Sequence, residues 1–319
     1  MNRRLGGLIL VVAWYIAAAG TVSARSQVKN RTSPAGAGVG KEFLSEFATV
    51  KGATLHYVRG GKGPAIVLIH GFPQDWSEWL PIMPALAEHF TVVAIDLPGI
   101  GRSTPASNGY DAANMAQDIY QLVSALKLKQ VYVVGHDIGG QVAYAFVRRF
   151  PQATRGAMIL DTPIPGIEGW EEVQGAPYMW HVHFMQVPGL AEKLVDGRQE
   201  AYLGYFFQFG KFTKAETAHY LKAYGTDAQL HAAFEMYRAF PANAQFNAAQ
   251  RGPMPIPLFF GTGDRSPFAK LVPKIAEGLR AHGCTHVETG LIHGAGHYLV
   301  EDQPNQVAEL IERYASVPH

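Results

Sequence analysis

Short apolar runs recur along the chain from about residue 42, and several of them are continuous rather than alternating. They span 55–58, 65–70, 91–96, 131–136, 156–161, 256–261 and 286–292. Continuous runs rich in valine and isoleucine are typical of strands that are buried on both faces of a parallel sheet. Between two of these runs, residues 111–128 carry apolar side chains at helical spacing. This alternation predicts an α/β fold with a mostly parallel central sheet flanked by helices.

The alternation stops between residues 166 and 250. That stretch is rich in aromatic residues and contains no convincing strand. We therefore expect 166–250 to be an inserted helical cap whose aromatic side covers the sheet. The predicted core then consists of 42–165 and 251–316, and a helix over 303–314 follows the last strand.

The N-terminal residues have a different pattern. A basic start is followed by an apolar run of about 16 residues and by Val22-Ser23-Ala24, an order typical of a secretory signal peptide over 1–24. The alternative is an uncleaved anchor, but a spanning helix needs about 20 apolar residues. Polar, Gly/Pro-rich residues 25–41 are predicted to form a flexible linker. We therefore expect a periplasmic or secreted protein.

Composition excludes several classes of partner. The chain has 27 Lys+Arg against 26 Asp+Glu. It therefore lacks the excess of basic residues that would indicate nucleic-acid binding. One cysteine, Cys284, cannot form an intrachain disulfide and excludes a cysteine-based zinc site. We expect no metal, no cofactor and, after signal cleavage, no membrane association. The oligomeric state is not predicted.

Candidate chemistry lies at the ends of the predicted strands. VYVVGHDIGGQVA (131–143) combines a strand, a glycine-rich turn and the start of a helix, which is the layout of a nucleophile elbow with Asp137 in place of the usual serine. The carboxyl ends of parallel strands meet at one edge of a sheet. Later strand ends contribute Asp161, Asp264 and His297. The order nucleophile, acid, histidine is that of α/β-hydrolases.

An aspartate at this position favours displacement at an sp³ carbon, because attack on an acyl group would give an anhydride. The product is an alkyl ester of Asp137, which His297 would hydrolyse by activating a water. The backbone N–H groups of Phe72 and Ile138 are expected to stabilise the oxyanion of that step. The simpler alternatives are a helix N-cap for Asp137 and a surface position for His297.

Four segments jointly resemble motifs of the α/β-hydrolases with an aspartate nucleophile, namely the epoxide hydrolases and haloalkane dehalogenases. They are HGFPQDWSEW (70–79), DLPGIGRS (96–103), GHDIGG (135–140) and GAGHYLVEDQP (294–304). The resemblance covers 42–316 and implies an α/β-hydrolase fold with a cap and a cofactor-free reaction. Haloalkane dehalogenases typically carry tryptophan after the nucleophile, and fluoroacetate dehalogenases carry arginine there and three residues later. This chain has Ile138 and Gln141.

The resemblance therefore favours an epoxide. FEMYRAF (234–240) is similar to the lid segment of epoxide hydrolases and implies that Tyr237 donates to the epoxide oxygen. MWHVHF (179–184) is similar to a segment of secreted bacterial epoxide hydrolases that pair a lid tyrosine with a lid histidine, and it matches at His181. We also expect three aromatic residues to line the substrate pocket, namely Phe72, Trp76 and Trp180.

The acid that orients His297 has two candidates. In most epoxide hydrolases it corresponds to Asp264, and in the His–Tyr subgroup it corresponds to Asp161, which we favour. The expected function is opening of an apolar epoxide to a vicinal diol. The alternatives are a haloalkane dehalogenase, which halide release would reveal, and a non-catalytic binding protein of hydrolase fold, which any turnover would exclude.

Overall fold

An eight-stranded, mostly parallel sheet is the centre of the fold. The computed structural model describes residues 43–107 and 109–317, so the predicted signal peptide and linker lie outside the described residues. The order across the sheet is β1-β2-β4-β3-β5-β6-β7-β8; β2 is antiparallel to both β1 and β4, and the later neighbours are parallel. The strands are β1 (Phe43–Thr49), β2 (Thr54–Gly60), β3 (Ala65–Ile69), β4 (Thr91–Ile95), β5 (Val131–His136), β6 (Thr154–Leu160), β7 (Leu258–Gly263) and β8 (Val287–Ile292).

The sequence pattern predicted all of these strands except β1. β3 and β5 are buried along their whole length, which is why their apolar runs are continuous. β1 is an edge strand in which Leu44 and Phe47 are 55% and 49% exposed. Because only one of its residues is buried, its sequence lacks the continuous apolar run that identifies the others.

Helices cover both faces of the sheet. They are α1 (Met83–Leu86), α2 (Ala112–Ala125), α3 (Ile138–Arg149), α4 (Trp170–Gln174), α5 (Trp180–Met185), α6 (Leu190–Val195), α7 (Gln199–Phe207), α8 (Lys214–Ala223), α9 (Asp227–Arg238), α10 (Phe240–Ala249), α11 (Val272–Ala281), α12 (Leu299–Asp302) and α13 (Pro304–Ala315). Alternate residues of β5 serve the two faces, since Val133 joins the core formed with α2 and α3 while Val134 joins the core formed with α1 and α13. In the described ranges, no helix combines the length and apolarity needed to span a bilayer.

The seven helices α4–α10, here termed the cap helices, lie between β6 and β7 in the chain. Two of them begin with a capping box, at Thr213 and Thr226. Hydrogen bonds tie the cap to the core: the Tyr224 hydroxyl donates to the Gln74 carbonyl oxygen at 2.7 Å, and the Ala112 N–H donates to Asn243 Oδ1 at 2.8 Å. These contacts hold the cap over the carboxyl ends of the strands.

Candidate active site

Asp137 occupies a sharp turn between β5 and α3. Its backbone adopts φ 49° and ψ −122°, a conformation that residues other than glycine rarely adopt. A Cβ at Gly139 would overlap the Ile69 carbonyl oxygen, so this position requires glycine. The Asp137 carboxylate makes no capping hydrogen bond to α3. The strand–turn–helix prediction is confirmed; Asp137 occupies the N-cap position of α3, but its side chain does not cap the helix.

One backbone N–H already holds the Asp137 carboxylate. The turn after β3 places the Phe72 N–H 3.0 Å from Asp137 Oδ2, as a donor. Oδ1 accepts no hydrogen bond from the described residues and is the oxygen available to a substrate. Ile138 is the buried first residue of α3, and its predicted oxyanion role stays a prediction.

His297 is paired with Asp161. Its Nδ1 donates to Asp161 Oδ2 at 2.6 Å. The Asp161 side chain is completely buried and also accepts from the Thr262 hydroxyl, the Gly263 N–H at 3.3 Å and the Ser266 hydroxyl at 3.0 Å. A carboxylate bound at Nδ1 fixes the imidazole tautomer and leaves Nε2 to act as a base.

Asp264 lies in the same region but does not contact His297. Its Oδ1 accepts from the Gly294 N–H at 2.9 Å, and its Oδ2 lies 3.2 Å from the exposed His293 Nδ1. The structure thus brings His297 to Asp161, the candidate favoured from the sequence, and leaves Asp264 to stabilise the turn after β8.

A cavity of about 340 Å³ lies between this cluster and the cap. Its wall is mostly apolar and aromatic, including Phe72, Met179, Phe206 and Phe240. Five of the predicted site residues line it together: Phe72, Asp137, His181, Tyr237 and His297. An apolar enclosure with a few convergent polar groups is typical of a small-molecule site.

Tyr237 and His181 approach the cavity from the cap, with ring centroids 5.9 Å apart. The Tyr237 hydroxyl makes no hydrogen bond to the described residues, although its ring is buried. Burial raises the pKa of Tyr237 well above its usual value, and burial lowers the pKa of His181 to about 4. Near neutral pH the tyrosine is therefore protonated and the imidazole uncharged.

Comparison with known proteins places the chain in a family. Residues 64–304 match the model of the alpha/beta hydrolase fold. The chain belongs to the α/β-hydrolase family. This confirms the family and the fold that the motifs predicted.

Several relatives of this α/β-hydrolase have named activities. It is 30% identical to a soluble epoxide hydrolase of Corynebacterium sp. (strain C12) over 84% of this chain and 96% of that protein. It is 33% identical to a fluoroacetate dehalogenase of Burkholderia sp. over 62% of this chain and 69% of that protein. The crystal structure of the Cif epoxide hydrolase from Acinetobacter nosocomialis superimposes with a TM-score of 0.77 at 27% identity, covering 87% of this chain and 90% of that one.

Two tryptophans predicted to line the pocket of this hydrolase do not line the cavity, and that prediction was wrong for both. Trp76 begins a 3₁₀ turn, where its backbone N–H donates to Asp96 Oδ1 at 3.0 Å and its indole ring lies edge-on to the His56 ring. Trp180 is 39% exposed and stacks behind Phe206, which is the residue that reaches the cavity.

The sequence analysis missed a buried ion pair beneath the site. His136 Nδ1 lies 2.9 Å from Glu78 Oε1, and His136 Nε2 donates to the His297 carbonyl oxygen at 2.9 Å. Glu78 Oε2 also accepts from the Gly71 N–H at 2.9 Å. The pair therefore links the Phe72 turn, the elbow and the His297 loop. A lone acid within the aromatic stretch WSEW was the available signal, since a buried charge needs a partner.

Glu78 gives the stability of this hydrolase a pH dependence. Burial alone would lower the pKa of His136, but the charge and hydrogen bond of Glu78 outweigh it and raise this pKa to about 9. The stabilisation of the folded state by this ion pair is complete below about pH 6.5, the pKa of a histidine in the unfolded chain. It is lost as the pH rises through about 9, the pKa of His136 in the folded protein. We expect Glu78→Gln to lower the free energy of unfolding by about 3 kcal/mol at pH 6 and by much less at pH 9.5.

Urea unfolding at pH 6, 8 and 9.5 checks this expectation. Glu277→Gln, on the exposed face of α11, is the matched control and should differ little from wild type at any pH. A Glu78→Gln deficit of the same size at all three pH values would show that the ion pair is not its source.

Proposed function

We propose that this protein is an epoxide hydrolase that converts an apolar epoxide to a vicinal diol. The observation that carries the proposal is the arrangement of a carboxylate, a hydroxyl and a histidine around one apolar cavity: Asp137 on the elbow, Tyr237 on the cap, and His297 held by Asp161. The named activities of the Corynebacterium and Acinetobacter relatives support it.

In the first step, Asp137 Oδ1 attacks a ring carbon, and the carbon–oxygen bond of the epoxide breaks as the ester bond forms. The ring oxygen takes the proton of the Tyr237 hydroxyl. The product is a hydroxyalkyl ester of Asp137, and no group leaves the site. Neutral His181 donates an N–H to the same oxygen as negative charge develops on it.

In the second step, His297 Nε2 takes a proton from water, and the hydroxide adds to the Asp137 carbonyl carbon. Oδ2 becomes the oxyanion, and the Phe72 N–H already lies at hydrogen-bonding distance from it. Collapse breaks the ester bond, and the departing diol oxygen takes the proton from His297 while Asp161 stabilises the imidazolium. The regenerated Asp137 carboxyl group then gives its proton to the Tyr237 phenolate, which restores the tyrosine hydroxyl and the ionised aspartate.

A dehalogenase would need different groups at the leaving atom or at a substrate carboxylate. The relative from Burkholderia is a fluoroacetate dehalogenase. Fluoroacetate dehalogenases typically carry arginine directly after the nucleophile and again three residues later. This chain has Ile138 and Gln141 at those two positions. A mostly aromatic wall suits an apolar epoxide better than an anion.

The test is a parallel assay of the purified protein with styrene-type, aliphatic and fatty-acid epoxides, a bromoalkane and fluoroacetate. Diol is measured by gas chromatography and halide by ion chromatography. We expect diol from at least one epoxide and no halide above the buffer rate. Halide release without diol formation would identify a dehalogenase, and no turnover of any epoxide would oppose the proposal.

The proton donor can be tested with Tyr237→Phe. Loss of the hydroxyl removes the general acid, which typically contributes 10²–10⁴-fold, so kcat/KM for a turned-over epoxide should fall by about 10²-fold or more. Tyr205→Phe, which removes an exposed hydroxyl from the same cavity wall, is the matched control. Equal activity of the two variants would remove Tyr237 from this role.

Separate amide substitutions test the orienting acid. Asp161→Asn no longer stabilises the imidazolium or selects its tautomer, so diol formation should slow by about 10⁴-fold. Asp264→Asn changes only the turn after β8 and should lose little activity. Steady-state kinetics of both variants, with matched circular-dichroism spectra, make the comparison. The reverse ranking would assign the role to Asp264.

We also propose that residues 1–24 direct export to the periplasm or beyond, with cleavage after Ala24. Support comes from the order of basic, apolar and small residues. After expression of the full chain in a Gram-negative host, N-terminal sequencing of the periplasmic fraction should begin at Arg25. An intact N-terminus confined to the cytoplasm or membrane would contradict export.

A further inference from the structure

A buried amide interrupts the apolar wall of the cavity. Gln141 lies one turn after Asp137 on α3, lines the same cavity and is only 3% exposed. A polar side chain buried to this extent is normally held by hydrogen bonds on all of its polar atoms. The wall around it is largely aromatic and aliphatic.

A directional relay fixes which end of the Gln141 amide faces the cavity. The Ala112 N–H can only donate, and it donates to Asn243 Oδ1 at 2.8 Å. Asn243 must therefore present its Nδ2, which donates to Gln141 Oε1 at 3.1 Å. This leaves Gln141 Nε2 as the outward group, and it has no acceptor among the described residues.

From this we infer that Gln141 selects substrates carrying a hydrogen-bond acceptor beside the epoxide. The inference rests on the proposed function and narrows its substrate class to apolar epoxides with an ether, carbonyl or hydroxyl oxygen. A bound substrate without such an oxygen would displace water from the Gln141 N–H and leave this donor without an acceptor. Sites that hydrogen-bond a substrate reject analogues that lack the partner group for this reason.

The position of Gln141 also sets where the acceptor must lie. Asp137 precedes α3, but the Gln141 backbone N–H donates to the Asp137 carbonyl oxygen at 3.3 Å, so the two residues are separated by about one helical turn, roughly 5–6 Å. Asp137 attacks at one end of that distance and Gln141 donates at the other. The acceptor oxygen is therefore a few bonds from the attacked carbon, as in a glycidyl ether.

Two probes of equal shape test the inference. Benzyl glycidyl ether has the acceptor, and 1,2-epoxy-5-phenylpentane replaces that oxygen with a methylene group. For wild type, we expect kcat/KM to favour the ether by about 10-fold. Gln141→Met removes the N–H at similar length and should reduce this ratio to about 1. Asn243→Leu, which removes the group that orients Gln141 together with the acceptor of the Ala112 N–H, should reduce the ratio partly.

Gln152→Met, in an exposed turn at the opposite end of the sheet, is the matched control and should keep the wild-type ratio. If wild type hydrolyses both probes without preference, or if the preference survives in folded Gln141→Met, the inference is overturned while the proposed function stands. If wild type hydrolyses neither these probes nor any other epoxide, the proposed function fails and takes the inference with it.

Discussion

Asp137→Ser should abolish diol formation, with kcat lower by about four orders of magnitude or more. A serine hydroxyl must lose its proton before it can attack, whereas the Asp137 carboxylate is a nucleophile when ionised. Any attack that did occur would form an ether with the substrate, and His297-activated water cannot hydrolyse an ether. The variant therefore fails at both steps.

Steady-state diol formation, measured with the best epoxide found for wild type, checks this expectation. Asp264→Ser is the matched control, because it makes the same chemical change at an aspartate that serves a turn. Both variants should show wild-type circular dichroism. Near-full activity of a folded Asp137→Ser would remove Asp137 from the role of nucleophile.

The strands and the elbow were predictable because they depend on local sequence. Strands buried on both faces must be continuously apolar, and the turn at Asp137 requires glycine where α3 passes close to β3. The strand β1 was not predicted because it lies at an edge of the sheet, where most of its side chains contact solvent. The sequence therefore predicted the centre of the sheet better than its edge.

The choice between Asp161 and Asp264 was harder for a physical reason. β6 and β7 are parallel neighbours, so the residues after them emerge at the same edge of the sheet. Burial and the hydroxyl donors of Thr262 and Ser266 favour Asp161, and these donors come from the end of β7 and from the loop that follows it. Such contacts depend on packing, and only the resemblance to one subgroup favoured Asp161 beforehand.

Cap contacts were the least predictable part of the site. Trp180 and His181 are adjacent in sequence, yet one lies behind Phe206 and the other lines the cavity. The packing of α5 against α9 determines which side of the short helix α5 faces the sheet. The sequence alone does not determine this orientation. The Gln141 relay likewise joins α3 to α10 across 102 positions of the chain.

His297→Gln should stop after a single turnover. Attack on the epoxide needs ionised Asp137 and the Tyr237 proton, and His297 takes no part in it. Hydrolysis of the ester does need His297, because water is a weak nucleophile without a base. Rapid-mixing experiments should therefore show consumption of about one equivalent of epoxide per active site, followed by turnover slower by several orders of magnitude.

Intact-mass spectrometry of His297→Gln after incubation with a turned-over epoxide tests the covalent mechanism most directly. Ring opening expels nothing, so the protein should gain the full mass of the epoxide, and peptide mapping should locate the addition at Asp137. A haloalkane would instead add its mass less that of the hydrogen halide. Absence of any adduct on the folded variant, with a substrate that wild type hydrolyses, would contradict the two-step ester mechanism.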